Sequence, residues 1–393
     1  MSINTNSQKI NELLTRGVDE VIVKEDLEKK LKSGKQLRIK LGIDPTSPNL
    51  HLGRAIPLLK LRDFQELGHK AVFIVGDFTG VVGDTSDKDS ERPMLTEAQV
   101  KENMKNYLDQ AFKILDPEKT ETHYNSEWLK KLGFLELSEM ASLFSLHEFS
   151  SRELIAKRLD AGKRVSFHEL LYPLMQGYDS VMVKADVELG GTDQRFNLLA
   201  GRTLQEHYKQ EPQNIMMCPL LEGTDGRKMS SSWGNTITLT AAPNDMYGKI
   251  MSIQDELIVK YFTLTTRVPM DTVQEYEKYL KNGANPRDYK MKLAFELVKF
   301  YHSEKDAEES EKYFISTFSK KEIPDEIPEL KPSAYDIITV LVEAKLVKSK
   351  SEARQVIQQG GVKVNEEKVE DIAFEVKKGD VVQKGSRYFV KII

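Results

Sequence analysis

Short aliphatic and β-branched runs alternate with longer stretches of helical periodicity over roughly the first two hundred residues, and this pattern restricts the possible architectures more than any other feature. The runs are residues 37–43 (LRIKLGI), 71–75 (AVFIV), Thr120–Tyr124 and 215–221 (IMMCPLL). Such alternation argues for a parallel sheet with crossover helices, a doubly wound α/β domain. Between the runs, Thr96-Glu97-Ala98-Gln99 predicts a capping box that opens a helix with Val100, Met104, Tyr107, Ala111 and Ile114 at helical spacing.

A chain of 393 residues has room for two or three domains at about 100–200 residues each. Residues 1–242 hold the alternating pattern and are read as the sheet domain. From Pro243 to about Phe318 the strand signals vanish, and segments such as 288–301 (DYKMKLAFELVKFY) repeat apolar residues at helical intervals, so 243–320 reads as a small all-α domain. Residues 321–332 (KEIPDEIPELKP) are punctuated by proline, which pushes the preceding residue out of the α region and predicts an extended linker. The tail, 333–393, restarts with an apolar helix over 335–346, a second helical segment from Ser349, then Gly360-Gly361 and alternating Val362 and Val364, a small α+β pattern.

With 39% hydrophobic and 30% charged residues the composition is that of an ordinary globular protein, not a disordered or fibrous one. Lys and Arg number 57 against 61 Asp and Glu, net −4, so the chain has no global basic field and an RNA contact must be local. Residues 333–393 carry 11 basic and 9 acidic side chains, net +2, which leaves −6 for the remainder. The single cysteine, Cys218, can form neither an intramolecular disulfide nor a thiolate metal site, as suits a reducing cytosol. The histidines at 69, 123, 147, 168, 207 and 302 do not cluster, so no tightly bound metal is expected. Neither a secretory apolar core nor a membrane-length segment is evident, and the expectation is a cytoplasmic protein with no membrane partner.

Two segments carry chemistry. Gly42-Ile43-Asp44-Pro45-Thr46-Ser47-Pro48-Asn49-Leu50-His51-Leu52-Gly53-Arg54 ends a predicted strand, turns through a Pro-rich loop and starts a helix near His51. Backbone N–H groups and the positive helix end would then form an anion site above the sheet. His51 and Arg54 share one face of the first turn, where both can donate to phosphate oxygens, and Gly53 leaves room for a flat base. Alone, the segment reads equally well as a helix N-terminus with a surface His and Arg. The second segment, Gly226-Arg227-Lys228-Met229-Ser230-Ser231-Ser232-Trp233-Gly234-Asn235, has glycines near both ends of a potentially mobile loop, with Lys228 and three hydroxyls able to close over a polyphosphate. Alone, it is a Ser-rich surface turn.

Elsewhere, Asp84, Tyr172 and Gln176 supply acceptors for an ammonium group, and Tyr172, Gln176 and Asp179 fall at i, i+4 and i+7 on one helix face. Gly190-Gly191-Thr192-Asp193-Gln194 sits between a strand and a helix, at the carboxyl edge where open α/β sheets hold ligands. Lys88 and Arg92 add cations within a run that reads equally as a solvated charge cluster.

In this order the two segments resemble the HIGH and KMSKS signatures of class I aminoacyl-tRNA synthetases. The blocks 75–84 (VGDFTGVVGD), 172–179 (YPLMQGYD) and 189–194 (LGGTDQ) extend the likeness, and nearly the whole chain is similar to bacterial tyrosyl-tRNA synthetases. The resemblance implies a Rossmann-like doubly wound catalytic domain, an all-α domain for the anticodon arm, and a tail with the RNA-binding fold of a small-subunit ribosomal protein. It implies activation of L-tyrosine by ATP, with Mg²⁺ accompanying the nucleotide, and transfer to the 3′-terminal adenosine of tRNA(Tyr). On this basis Gly42, Asp44, His51, Gly53, Gly191, Asp193, Lys228 and Met229 bind ATP, Asp193 through the ribose hydroxyls. Thr46, His51, Arg54, Lys228 and Ser230 act on the phosphates, helped by Lys88 and Arg92. Asp84, Tyr172 and Gln176 hold the α-amino end of tyrosine, Gln194 lies near tyrosine and the reacting phosphate, and Asp179 meets the phenolic hydroxyl. Lys348, Lys350, Arg354 and Lys363 are the candidate tRNA contacts, and an insertion around residues 130–180 is the expected homodimer face.

Three positions depart from the family pattern. Arg54 stands for the final histidine of the first signature, Ser231 for the second lysine of KMSKS, and Gly83-Asp84-Thr85-Ser86-Asp87 for a common Gly-Asp-Pro-Ser-Gly turn. Two other readings stay open. A tryptophanyl synthetase shares both signatures but needs an acceptor for an indole N–H and normally lacks the tail. A non-catalytic RNA-binding relative need not retain His51, Asp193 and Lys228.

Overall fold

The computed structural model describes residues 3–85, 94–319, 327–385 and 388–393. The chain forms two compact units, Met1–Ala307 and Glu308–Ile393. In the first, β1 (Glu20–Ile22), β2 (Arg38–Ile43), β3 (Lys70–Val75), β4 (Thr120–Tyr124), β5 (Val187–Gly191) and β6 (Asn214–Cys218) form one sheet in the order β1-β6-β5-β2-β3-β4. Every neighbouring pair is parallel except β1 with β6. The chain thus builds outward from β2 to β4, then returns to start the other half at β5. The strand order reverses between β2 and β5, the position beyond which open α/β sheets hold ligands.

The register shows how that crevice opens. β2 and β5 pair at Ile39↔Val187 and Lys40↔Glu188, whereas β2 runs on to Ile43 and β5 to Gly191. Their carboxyl ends part without a ladder between them. β6 is buried throughout and β3 nearly so, as expected of parallel strands covered on both faces.

Three helices frame the crevice: α1 (Leu52–Glu66), α2 (Phe167–Val183) and α3 (Arg195–His207). α1 turns Leu52, Ala55, Ile56, Leu59 and Phe64 into the core at helical spacing. α2 and α3 pack closely because Gly177 has no side chain; a Cβ there would lie 2.8 Å from Leu204 Cδ1 and 3.0 Å from the Gly201 nitrogen.

The structure departs from the sequence expectations at several points. The helix opened by the Thr96–Gln99 capping box stops at Met104, and a second begins at Tyr107. Asn106 leaves helical geometry (φ −118°, ψ 19°), and Tyr107 and Gln110 beyond it bond to the Asp44 carbonyl, Arg54, Leu50 and Pro48. The strand expected to reach residue 221 ends at Cys218, since Pro219 has no N–H for a ladder. The short antiparallel β1 has no counterpart in the sequence reading. Helices Pro243–Met251, Ile258–Thr265, Met270–Lys281 and Pro286–Tyr301 replace strands as expected, within the same compact unit as the sheet.

In the second unit β7 (Glu329–Leu330), β8 (Val362–Val364), β9 (Glu367–Val369), β10 (Val381–Lys384) and β11 (Tyr388–Ile392) form a sheet in the order β7-β11-β10-β8-β9. Helices Ile337–Glu343 and Lys350–Gln358 contribute Ile337, Val340, Leu341, Ala353 and Ile357 to its core. β7 falls inside the stretch expected to be a linker, where Glu329 and Leu330 pair with Lys391 and Ile392.

Candidate active site

A cavity of about 260 Å³ opens at the carboxyl ends of β2 and β5. The segment leaving β2 lines one side. Its turn is held by Arg54, whose guanidinium donates to the Asp44 carbonyl at 2.7 Å, the Tyr107 hydroxyl at 2.9 Å and Thr46 Oγ1 at 3.1 Å. Arg54 therefore braces this turn as well as facing the cavity, which its long side chain allows. His51 caps α1 without a side-chain cap bond. It is buried, and burial beside the Arg54 and Lys228 cations pushes its pKa down to about 3. At neutral pH it offers a neutral imidazole N–H, not the positive charge of an imidazolium.

The loop after Gly226 crosses to this segment. Met229 Sδ accepts from the Gly53 N–H at 3.4 Å, and Ser47 and Ser231 hydroxyls lie 3.3 Å apart. Leu52 N–H donates to the Ile237 carbonyl and Leu239 N–H to the Leu50 carbonyl, so the chain beyond the loop pins the start of α1. Gly226 (φ +80°) and Gly234 (φ +68°) take left-handed conformations at the two ends. Asn235 ties the loop together, donating to Asp225 and the Lys228 carbonyl and accepting from the Ser230 N–H. Lys228 Nζ reaches Asp193 Oδ2 at 2.8 Å.

At the other end of the cavity α2 presents Tyr172, Gln176 and Asp179. The Tyr172 hydroxyl donates to Asp44 Oδ2 at 2.7 Å, and Thr79 Oγ1 donates to Asp44 Oδ1 at 2.7 Å. Burial raises the Asp44 pKa, and burial with Asp44 close by raises that of Tyr172. Asp44, expected on the ATP side, thus has its carboxylate engaged by Tyr172, expected on the tyrosine side, and by Thr79, while its carbonyl is held by Arg54. Gly76 makes this contact possible, because a Cβ there would sit 2.0 Å from Asp44 Oδ1. Asp84 Oδ2 accepts from Gln194 Nε2 at 2.6 Å.

Asp179 is the deepest acid. Trp128 Nε1 donates to Oδ1 at 2.7 Å and Asn125 Nδ2 to Oδ2 at 3.2 Å. Burial pushes its pKa up to about 7, opposed chiefly by the nearby Lys40 ammonium and then by those two donors. A carboxylate has about four lone-pair sites, so it retains capacity for one more donor from the cavity.

A family model described as "tRNA synthetases class I (W and Y)" matches residues 32–319, and one described as "S4 domain" matches 337–382. The tyrosine–tRNA ligase of Thermotoga maritima is 48% identical over 385 residues, covering 97% of this chain and 96% of that protein. That of Carboxydothermus hydrogenoformans is 50% identical over 398 residues, covering 97% of each. The chain belongs to the class I tRNA synthetases of the tryptophan and tyrosine family.

The synthetase fold is shared with solved structures. The tyrosyl-tRNA synthetase of Archaeoglobus fulgidus, complexed with L-tyrosine, superposes with a TM-score of 0.63 at 22% identity, covering 78% of this chain and 99% of that one. A C-terminally truncated mitochondrial enzyme of Coccidioides posadasii gives 0.64 at 24% identity, covering 78% and 92%.

In this synthetase one cavity is lined by Gly42, Asp44, Thr46, His51, Gly53 and Arg54 from the first signature segment and by Lys228, Met229 and Ser230 from the second. Asp84, Tyr172, Gln176, Asp179, Gly191, Asp193 and Gln194 complete it. Lys88 and Arg92 lie outside the described residues. Lys348, Lys350, Arg354 and Lys363 are exposed in the second unit. The sequence reading gave no role to Asn125 and Trp128, whose parts come from contacts to Asp179 and not from any local motif, nor to Thr79, which lies in the block 75–84 but acts through its bond to Asp44. It also missed Lys40, although a lysine inside the run LRIKLGI was a visible signal.

Proposed function

We propose that the chain is a tyrosine–tRNA ligase, which activates L-tyrosine with ATP and then transfers it to the 3′-terminal adenosine of tRNA(Tyr). The observation that carries this reading is the buried Asp179 carboxylate at the inner end of the cavity, braced by Trp128 and Asn125. A phenolic hydroxyl donates to it; phenylalanine would leave it buried and unpaired. Penalties of that kind reach about 10⁵-fold, a magnitude that comes from tyrosyl synthetases themselves and not from this geometry. The S4 match over 337–382 and the tyrosine ligases similar over nearly the full chain favour tyrosine over tryptophan.

With the phenol at Asp179, the α-ammonium of tyrosine meets the acceptors of Asp84, Tyr172 and Gln176. The carboxylate, already an anion at neutral pH, attacks the α-phosphorus of ATP in line without a general base, and pyrophosphate leaves. The protein's part is electrostatic. Thr46, polarised by Arg54, and the neutral His51 donate to phosphate oxygens as their charge grows. The ribose hydroxyls take the Asp193 carboxylate and release Lys228 to the phosphates, so nucleotide binding itself frees the loop cation. Lys88 and Arg92 add to the pyrophosphate clamp, and Mg²⁺ travels with the nucleotide.

Lys348, Lys350, Arg354 and Lys363 then contact tRNA phosphates, and residues 243–320 take the anticodon arm. The working form is a homodimer in the cytoplasm, with the insertion around 130–180 as its face; Phe134, Leu135, Leu146 and Phe167 there are large, apolar and exposed. Charging of a tRNA(Tyr) transcript by the purified protein with labelled tyrosine and ATP tests the whole reading. Label on the 3′-terminal adenosine is expected, and none after full incubation with active tRNA overturns it.

A further inference from the structure

The amino-acid pocket rests on a buried ion pair with no place in the chemistry above. Lys40 on β2 and Glu188 on β5 are directly opposed in register. Their side chains meet at 2.8 Å, with relative exposures of 0% and 1%. The Lys40 ammonium uses its three donors on Glu188, the Ser180 hydroxyl at 2.7 Å and the Gln176 backbone carbonyl at 2.7 Å. Glu188 in turn accepts from Ser180 Oγ at 3.0 Å, from Gln213 Nε2, and from Gln176 Nε2 at 3.2 Å. Neither side chain lines the cavity, but Gln176 and Asp179, one turn apart on α2, both do.

We propose that the Lys40–Glu188 pair is the positioning group of the tyrosine pocket, fixing the amide of Gln176 and the carboxylate of Asp179 in the forms that bind the substrate and so setting both tyrosine affinity and its preference over phenylalanine. The proposal rests on the tyrosine reading above. An ionised Glu188 can only accept, so the Gln176 amide must turn Nε2 toward it. Oε1, which accepts no hydrogen bond from the described residues, is left as the acceptor for the substrate ammonium. Without Glu188 the amide is free to flip and present N–H groups to a cation.

The second effect reaches Asp179. The groups facing it are Lys40 from β2, Glu188 from β5, Tyr172 from its own helix, and the donors Asn125 and Trp128 from the segment after β4. Lys40 is the cation among them, and burial keeps its field unscreened by water. Remove it and the carboxylate takes up a proton at higher pH, becoming a weaker acceptor that also carries a competing O–H donor toward the phenol.

The pair is tested in tyrosine-dependent ATP–pyrophosphate exchange between pH 5.5 and 9, comparing wild type with Lys40→Met/Glu188→Gln. Replacing both members avoids an orphaned buried charge, and neutral replacement of such pairs is often tolerated. The expected result is a folded protein with KM for tyrosine raised about tenfold or more and kcat within about threefold. Glu188 opposes Lys40 at Asp179 and is the weaker of the two, so losing both moves the acid limb of kcat/KM up by less than about one pH unit, and the tyrosine-to-phenylalanine ratio falls about tenfold. A folded double variant with wild-type KM and acid limb overturns the proposal and leaves the pair a packing element. If the double variant does not fold, Glu188→Gln decides, since an unpaired buried lysine gives up its proton with little change of shape. The same KM rise supports the proposal, and wild-type values overturn it. A wild-type protein that exchanges with no tyrosine overturns the tyrosine reading itself, and this proposal with it.

Discussion

At the scale of single residues the site works by placing charge. Lys228 reaches from the loop to Asp193, and in the proposed mechanism its task arises as charge builds on the leaving pyrophosphate. Lys228→Ala is therefore expected to lower tyrosine-dependent pyrophosphate exchange roughly 10²–10³-fold, about 3–4 kcal/mol, while tyrosine affinity by equilibrium dialysis stays within a few-fold. Exchange within a few-fold of wild type would remove Lys228 from the mechanism. Asp179 carries a cost with its function. Its folded pKa, near 7, lies above the unfolded value, so its favourable protonated state is complete below about pH 4 and is lost as pH rises through 7. Asp179→Asn does not ionise; relative to wild type it should gain thermal stability between pH 5 and pH 8 while losing most discrimination against phenylalanine. A stability difference that does not grow with pH would place the ionisation elsewhere. His51 has the opposite sign. Its folded pKa, near 3, lies below the unfolded value, so its contribution is present above about pH 6.5 and is lost as pH falls toward 3. His51→Gln should flatten the acid side of the unfolding-free-energy profile against pH by up to about 1.4 kcal/mol per pH unit, measured by denaturant titration; an unchanged acid slope would contradict this.

At the scale of elements the cavity is a join between the loop after Gly226 and the helix α2, and the two tryptophans sit one at each end. Trp233 is exposed on the loop, under the Arg227 guanidinium at 4.7 Å from the ring centroid, while Trp128 donates to Asp179. Trp233→Phe should abolish the ATP-dependent change in tryptophan fluorescence and keep the tyrosine-dependent one; loss of both would mean that the two ends do not report separately. The sheet strands β2, β3 and β4 are legible in the sequence because alternation and aliphatic runs are local properties. The signature segments are legible because their glycines, prolines and cations occur as contiguous strings. Asn125 and Trp128 are not, since their meaning lies in a carboxylate more than fifty positions away, and the break at Asn106 reflects side chains drawn toward Asp44 and Leu50, which no periodicity encodes. Arg54 looks like a phosphate donor in the sequence, but its two bonds to the loop and a third to Tyr107 show a brace, a role visible only once Tyr107 stands beside it.

At the scale of the molecule a chain of net charge −4 has to handle an anionic nucleotide and an RNA. Its cations are balanced by slightly more acids over the chain as a whole, so RNA binding relies on local clusters and tRNA affinity should fall steeply with salt. Replacing Lys348, Lys350 and Arg354 by Ala should flatten the slope of log affinity against log salt by about two to three units while leaving pyrophosphate exchange unchanged. Phe134 and Phe167 are exposed on the proposed dimer face. Phe134→Glu/Phe167→Glu is expected to sediment as a monomer at micromolar concentration where the unaltered protein sediments as a dimer; an unaltered protein already monomeric would remove the dimer from the account. The most direct test of the whole is ATP–pyrophosphate exchange measured with each of the twenty amino acids in turn. Exchange with tyrosine and background with phenylalanine and tryptophan are expected; exchange with tryptophan alone, or with no amino acid, would contradict the tyrosine reading.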